Sequence, residues 1–287
     1  MKYAFIREHV GVHPVATMCR LLKVSRSGCY ASRERPESKR TAKDAALRLR
    51  IEQLHEAQRC APGTIKMWRL LQAEGVPCGR NRVARLRRIA GIETRRSARF
   101  RKMRTYQKIE PPADDLVKRA FDRKTPNKVW VGDMTQIATR KGPLHLAAFI
   151  DLCTHRVVGW TTGASQTAKL AIAALQKGFE QQKPQAGLIC HTDQGSQFAS
   201  AMFRNYLKDQ HARPSMSRRG NCHDNAVAES FFSNLKNEVT HHTIYDNHES
   251  ALAAIADYID VYYNQERLHQ TLGYRTPAQV EKMHRCT

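Results

Sequence analysis

Beyond residue 127 the chain changes rhythm, and the order of its apolar runs there restricts the fold more than any other feature. Residues 129–138, 144–150 and 156–162 form three runs of strand length, parted by Arg140-Lys141-Gly142-Pro143 and by Asp151-Leu152-Cys153-Thr154-His155. Short apolar runs bounded by Gly, Pro and Asp read as strands, and short turns between them make an antiparallel meander. Helical spacing over 167–182 (Leu170, Ile172, Ala174, Leu175, Phe179) leads to a fourth run at 188–192. A helix over 197–209, a short strand near 212–216, a helix over about 224–239 and a last helix over 248–264 complete the series.

Three antiparallel strands, helix, strand, helix, strand, helix is the order of an α/β ribonuclease-H-like fold, a mixed sheet with flanking helices. This catalytic domain with its helical tail is expected over 128–287. The fourth strand ends in His191-Thr192-Asp193-Gln194-Gly195, delivering a carboxylate to the sheet edge. Asp133 lies inside the first strand among Trp130, Val131, Met134 and Ile137, where an uncompensated carboxylate would be costly. Glu229 lies on the helix after the fifth strand. In this topology the three acids converge from separate elements, and carboxylate oxygens suit hard divalent cations. Two such ions about 4 Å apart would activate a nucleophile and stabilise the leaving oxygen of an in-line phosphoryl displacement. Each acid alone also fits a turn or a helix surface; Asp151 reads as a hairpin cap and Asp224 as the N-cap of the Glu229 helix.

The charge of the chain is divided unevenly. Net charge is +22, and residues 1–125 hold 31 Lys and Arg against 12 Asp and Glu. Polyphosphate is the partner that such a basic half implies. Residues 1–45 hold a helix-turn-helix-like segment and linker: Val15, Met18, Cys19 and Leu22 give one short helix, and Ser25 caps a second with Tyr30 facing inward. An ordinary helical hairpin fits the same residues. Residues 46–104 form a second helical unit with a basic arm, in which Leu47, Leu49, Ile51 and Leu54, then Ile65 to Leu71, then Val83, Leu86 and Ile89 are apolar lines. Arg80, Arg82, Arg85, Arg87, Arg88, Arg95, Arg96, Arg99, Arg101, Lys102 and Arg104 stand there against a single acid, Glu93. A solvated helix face mixes both signs, so this segment is expected to contact DNA, as are Arg218 and Arg219 of a Gly-bearing loop. Changes at Arg82 or Arg85 are expected to alter sequence preference, and changes at Arg99 or Arg101 to weaken all DNA alike. Residues 105–127 read as a linker.

No apolar run is long enough to span a membrane. The opening residues lack a secretory signal, so a cytoplasmic, nucleoid-associated location is expected. The eight cysteines carry no zinc or disulfide spacing and read as reduced thiols.

These residues together resemble a known family. Trp130, Asp133 and Thr135; His191-Thr192-Asp193, Gly195 and Phe198; and Asp224-Asn225-Ala226, Glu229-Ser230-Phe231-Phe232, Leu235 and Lys236 look like the DDE triad of integrases and transposases. Asp193 and Glu229 are parted by 35 residues, the spacing typical of that group. With Tyr263-Asn264, Arg267, His269, Leu272-Gly273-Tyr274 and Thr276-Pro277, the set resembles the OrfB transposases of the IS-three family of bacterial insertion sequences. The resemblance implies metal-dependent nicking of the element's ends, followed by strand transfer through attack of the freed 3′-hydroxyl on another phosphodiester. It implies Asp133, Asp193 and Glu229 as ligands of two Mg²⁺ ions, with Mn²⁺ able to substitute, and Lys236 against DNA. It further implies double-stranded DNA (terminal inverted repeats and target), the upstream-frame protein OrfA, which supplies a leucine zipper in frameshift fusions, and at least a dimer on DNA. Gly132 departs from the family, where a bulkier residue is common. A non-catalytic DNA-binding regulator and a purely hydrolytic nuclease of the same fold are the alternative readings.

Overall fold

The computed structural model describes residues 2–34, 39–94, 113–117, 124–217 and 225–285. Three short helices, α1 (Lys2–Glu8), α2 (Val15–Leu21) and α3 (Arg26–Glu34), close on a small core of Ile6, Met18, Cys19 and Cys29. The expected pair of short helices at 14–33 is present, but Tyr30 is exposed rather than inward. A second unit follows, built of α4 (Lys39–Ala57), α5 (Thr64–Ala73) and α6 (Arg80–Ile89) around Leu47, Ile51, Leu54, Met67, Leu71, Val83 and Leu86. Leu49, Ile65 and Ile89, which the apolar lines placed inside, are exposed. Helix periodicity marks a face without fixing its width, and three short helices lack the surface to cover every apolar residue.

The remainder is a five-stranded sheet with helices on both faces. β1 (Val129–Thr139), β2 (Gly142–Asp151), β3 (Val157–Gly163), β4 (Ile189–Thr192) and β5 (Arg213–Met216) lie in the order β3-β2-β1-β4-β5. β1, β2 and β3 pair antiparallel, whereas β4 and β5 join parallel. The helix α7 (Ala168–Gln182) makes the crossover to β4, and α8 (Ser196–Ala199) and α9 (Ala201–Asp209) make the next. The single helix expected over 197–209 is broken at Ser200, whose backbone is extended and whose Oγ accepts the Phe203 N–H at 3.2 Å. Residues 113–117 run beside β5, with the Met216 N–H donating to the Asp114 carbonyl and the Leu116 N–H to Ser215 Oγ.

Alternation along β1 divides the core in two. Val129, Val131 and Ile137 face a layer formed by α10 (Ala226–Glu238), α11 (His248–Ala256) and a π-helical continuation over Asp257–Glu266. Trp130 and Met134 face α7 and α9. Gly132 belongs to this second face, where an added Cβ would lie 2.2 Å from Cε1 of Phe149, its cross-strand partner. The ring on β2 therefore fills the space that a side chain would take, which accounts for the departure noted at Gly132.

The chain does not end with the helix at 248–264. A further helix, α12 (Pro277–Arg285), is capped by Thr276, whose Oγ1 accepts the Gln279 N–H while Gln279 Oε1 accepts the Thr276 N–H. The second helical unit rests on the π-helical run: Arg59 pairs with Asp257 and lies 5.1 Å over the Tyr262 ring, and Tyr262 donates to the Gln58 carbonyl. Among the described residues no helix is long and apolar enough to cross a membrane.

Candidate active site

Two strands and one helix build the acidic edge. β1 and β4 pair in parallel through Gly132 and Thr192, so Asp133 and Asp193 each follow one step beyond a matched pair. Neighbouring strands lie about 4.8 Å apart, and in-register parallel neighbours project to the same face. Position parity puts that face opposite Trp130 and Cys190, hence on the side covered by α10. Asp133 is buried, and its Oδ1 accepts the Met134 N–H at 2.7 Å. Asp193 is half-buried at the first residue past β4, where its Oδ1 accepts the Gly195 N–H at 3.0 Å. That Asx-type turn swings the chain off the sheet and into α8. Beside it, Gln194 reaches the Ser217 carbonyl at the end of β5. Two residues back, buried His191 sets Nδ1 2.9 Å from Ser215 Oγ and so links β4 to β5.

Glu229 is the fourth residue of α10 and half-buried. Its place in the first turn puts the carboxylate where the helix macrodipole favours negative charge. The start of this helix is held to β1 by Asn225, whose Nδ2 donates to the Gly132 carbonyl at 3.2 Å. Asn225 also occupies the N-cap position expected of Asp224, without a capping bond from its side chain; Asp224 lies outside the described residues. The Oδ1 of Asn225 is buried and has no hydrogen-bond partner among the described residues. Nothing in the spacing of the acids singled this residue out, although it stands inside the Asp224-Asn225-Ala226 run. Lys236 is half-buried seven residues beyond Glu229, two turns along the same face.

The structure thus brings Asp133 and Asp193 side by side and places Glu229 on the helix tied to their strand. Among the described residues, no three His, Cys, Asp or Glu side chains close into a metal-binding group. The donor chemistry nevertheless fits a hard divalent cation: carboxylate oxygens, with a neighbouring amide oxygen that lacks a partner. Asp151 behaves as the sequence suggested, taking the Asn127 N–H on one oxygen and the Thr154 N–H and hydroxyl on the other.

The basic residues of α6 separate into three groups. Arg80 and Arg88 are exposed on α6. Arg82 and Arg85 are half-buried, and both bind Asp44 of α4. The acid that balances this helix comes from another element, which reading α6 alone could not reveal. Arg87 does not stand on the exposed face as expected; it is 5% exposed, and burial pushes its pKa down. It stands four residues after buried Val83, on the face that α6 turns to the unit's interior. Arg95, Arg96, Arg99, Arg101, Lys102, Arg104, Arg218 and Arg219 lie outside the described residues.

Comparison with known proteins bears on the whole chain. An Integrase core domain model matches residues 123–222, a second Integrase core domain model matches 210–277, and an HTH-like domain model matches 41–100. The chain is 37% identical over 268 residues to the insertion element IS600 uncharacterized 31 kDa protein of Shigella sonnei, covering 93% of this chain and 98% of that one. It is 34% identical over 286 residues to the transposase InsF for insertion sequence IS3fB of Escherichia coli, covering 98% of both. A chain of the simian T-cell lymphotropic virus intasome aligns with a TM-score of 0.47 and 16% identity, over 80% of this chain and 73% of that chain.

Proposed function

The chain belongs to the insertion-sequence transposases that carry an integrase core domain, and from that premise we propose that Asp133, Asp193 and Glu229 are its catalytic carboxylates. It is a DNA transposase, a DDE-type polynucleotidyl transferase with a ribonuclease-H-like core. The observation that carries the residue assignment is the pairing of Gly132 with Thr192, which sets Asp133 and Asp193 side by side beneath the helix of Glu229.

These three carboxylates would hold Mg²⁺, two ions per site, with Mn²⁺ able to substitute; Asn225 Oδ1 is the further oxygen at hand. When bound, the ions supply an activated oxygen nucleophile and charge stabilisation for the leaving oxygen. The protein's part is to hold DNA and water in place. In the first step a water oxygen attacks the phosphorus at the element's end, and the bond to the 3′-oxygen breaks to leave a 3′-hydroxyl. In the second, that hydroxyl attacks a target phosphodiester: a new P–O bond forms as the old 3′-oxygen leaves, with no covalent protein–DNA intermediate. Lys236, on the face of Glu229, would contact a DNA phosphate. The basic arm from Arg95 to Arg104 and the Arg218-Arg219 pair would add phosphate contacts. Action on two ends calls for at least a dimer on DNA, and OrfA is the partner proposed to complete the active assembly in a nucleoid-associated, cytoplasmic setting.

The test uses labelled element-end DNA with Mg²⁺ or Mn²⁺, with and without the upstream-frame protein. Wild-type protein is expected to yield joined strand-transfer products. Asp193→Asn and Glu229→Gln are expected to yield none while still binding DNA. Binding with no cleavage in any reaction would favour a regulator, and free 3′-hydroxyl ends that never join would favour a hydrolytic nuclease.

A further inference from the structure

Helix α6 presents two different basic surfaces. Arg80, Ala84 and Arg88 are exposed at i, i+4 and i+8, a single stripe open to solvent. Arg82 and Arg85 lean the other way, toward α4, where one carboxylate takes both: Arg82 Nε donates to Asp44 Oδ1 at 2.7 Å and Arg85 Nη2 to Oδ2 at 2.5 Å. The Asp44 side chain is only 16% exposed, and the hydrogen bonds from Arg85 and Arg82 hold its carboxyl below the usual range. Around the two arginines lies an open hollow of about 550 Å³, lined by Arg40 and Lys43 from α4 and by Asn81, Arg82 and Arg85 from α6.

We propose that this hollow is a cradle for a backbone phosphodiester of duplex DNA, and that Asp44 is the positioning residue that presets its two arginines. The proposal rests on the transposase reading for the identity of the ligand. Asp44 engages one donor of each guanidinium, and each guanidinium has five. The planar forks are thus fixed while donors remain for phosphate oxygens, which they match bidentately. Among the described residues four cations face the hollow against one carboxylate, a balance that suits a phosphate rather than a neutral base edge. Ordering the arginines before binding lowers the entropy lost on contact. Sequence reading by α6 then falls to the exposed stripe of Arg80 and Arg88, with Ala84 small enough for close approach to a groove. This reverses the expectation that Arg82 and Arg85 discriminate sequence.

The alternative is an ion pair that only staples α6 to α4, and the two differ in sign. Deleting a negative charge from a basic surface strengthens DNA binding by simple electrostatics; deleting a positioning group weakens it. Full-length protein would be titrated by fluorescence anisotropy against a random-sequence duplex and an element-end duplex over a range of KCl. Asp44→Asn is expected to weaken both about equally, with the slope of log K on log salt falling by roughly 1. Arg82→Lys and Arg85→Lys, which keep charge and remove the fork, are expected to do the same, and Asp44→Asn added to Arg85→Lys to cost little more. Arg80→Ala and Arg88→Ala are expected to lower the ratio of end to random binding. Thermal melting of each variant separates lost folding from lost binding, and the lysine variants carry the test should Asp44→Asn unfold. Binding by Asp44→Asn as tight as wild type or tighter at every salt concentration overturns the proposal. So does inorganic phosphate protecting the hollow as strongly as the random duplex, which would make it a small-anion site. Random-duplex binding requires neither metal nor strand transfer, so an inactive enzyme with the expected salt response would count against the transposase reading alone.

Discussion

Two glutamates nine residues apart on α10 have opposite surroundings. Glu238 is buried: Arg267 Nη2 donates to its Oε1 at 2.8 Å, Arg267 Nε reaches both oxygens, and the Tyr258 hydroxyl donates to Oε2 at 2.9 Å. Glu229 is half-buried at the other end of the same helix, above the edge where Asp133 and Asp193 meet. The inward face of α10 runs through Ala228, Phe231, Phe232, Leu235 and Glu238, and Glu229 sits one position out of that phase. One helix thus carries one acid as part of its packing and another, proposed above as a catalytic carboxylate, near its start. The difference lies in burial and in phase on the helix. Beside Glu238 stand an arginine and a phenol in the interior, whereas Glu229 is half-buried in the first turn of the helix.

The comparison breaks most readily at the acidic edge. Asp133→Asn and Asp193→Asn should each lower strand transfer on the order of 10³-fold or more, with denaturant melts close to wild type; a large loss of stability instead would make these acids structural. At the other end of α10 the expectation reverses. Glu238→Ala strands the Arg267 cation in the interior and should destabilise the fold by about 3–5 kcal/mol. The paired change Glu238→Leu with Arg267→Met should recover much of that loss in the same melts.

A smaller effect sharpens the contrast through pH. Lys66 of α5 packs near the Glu238 pair, and burial, aided by the Arg267 cation and opposed by Glu238, pushes its pKa down to about 8 from 10.5. The unfolded chain then binds more protons than the folded one between those values, so stability should rise with pH across that window. Lys66→Met should flatten the rise in a series of chemical melts, and an unchanged slope would place the proton elsewhere. The smallest effect is expected at Lys236→Ala: melts within about 0.5 kcal/mol of wild type, and a salt slope for DNA binding reduced by roughly 1.

The core was legible because its strands announce themselves as short apolar runs and by the turns at Gly142-Pro143 and Asp151, and because Asp193 closes such a run at a Gly-bearing turn. What was not legible depends on partners distant in sequence. Gly132 is explained only by Phe149 opposite it, and Arg82 and Arg85 only by Asp44 on another helix. The break at Ser200 and the helix from Pro277 are different, since their signals were present. Ser200 is a good N-cap followed by an apolar helix, and Thr276-Pro277 with Gln279 is a capping box with proline at the first helical position. A continuous apolar period hid the first, and a basic tail that reads as surface hid the second.

The contact between the helical unit and the tail bears on how elements of this kind could be retargeted. Arg59 on Asp257 and Tyr262, and Lys66 beside the Arg267–Glu238 pair, make the unit part of the support for α10. A chimera that exchanged residues 39–94 for another element's recognition module would also remove the lid over Tyr262. Grafting a new specificity onto this enzyme should therefore succeed only when the graft keeps Gln58, Arg59 and Lys66, so that the recognition surface changes while the seam beneath it is inherited.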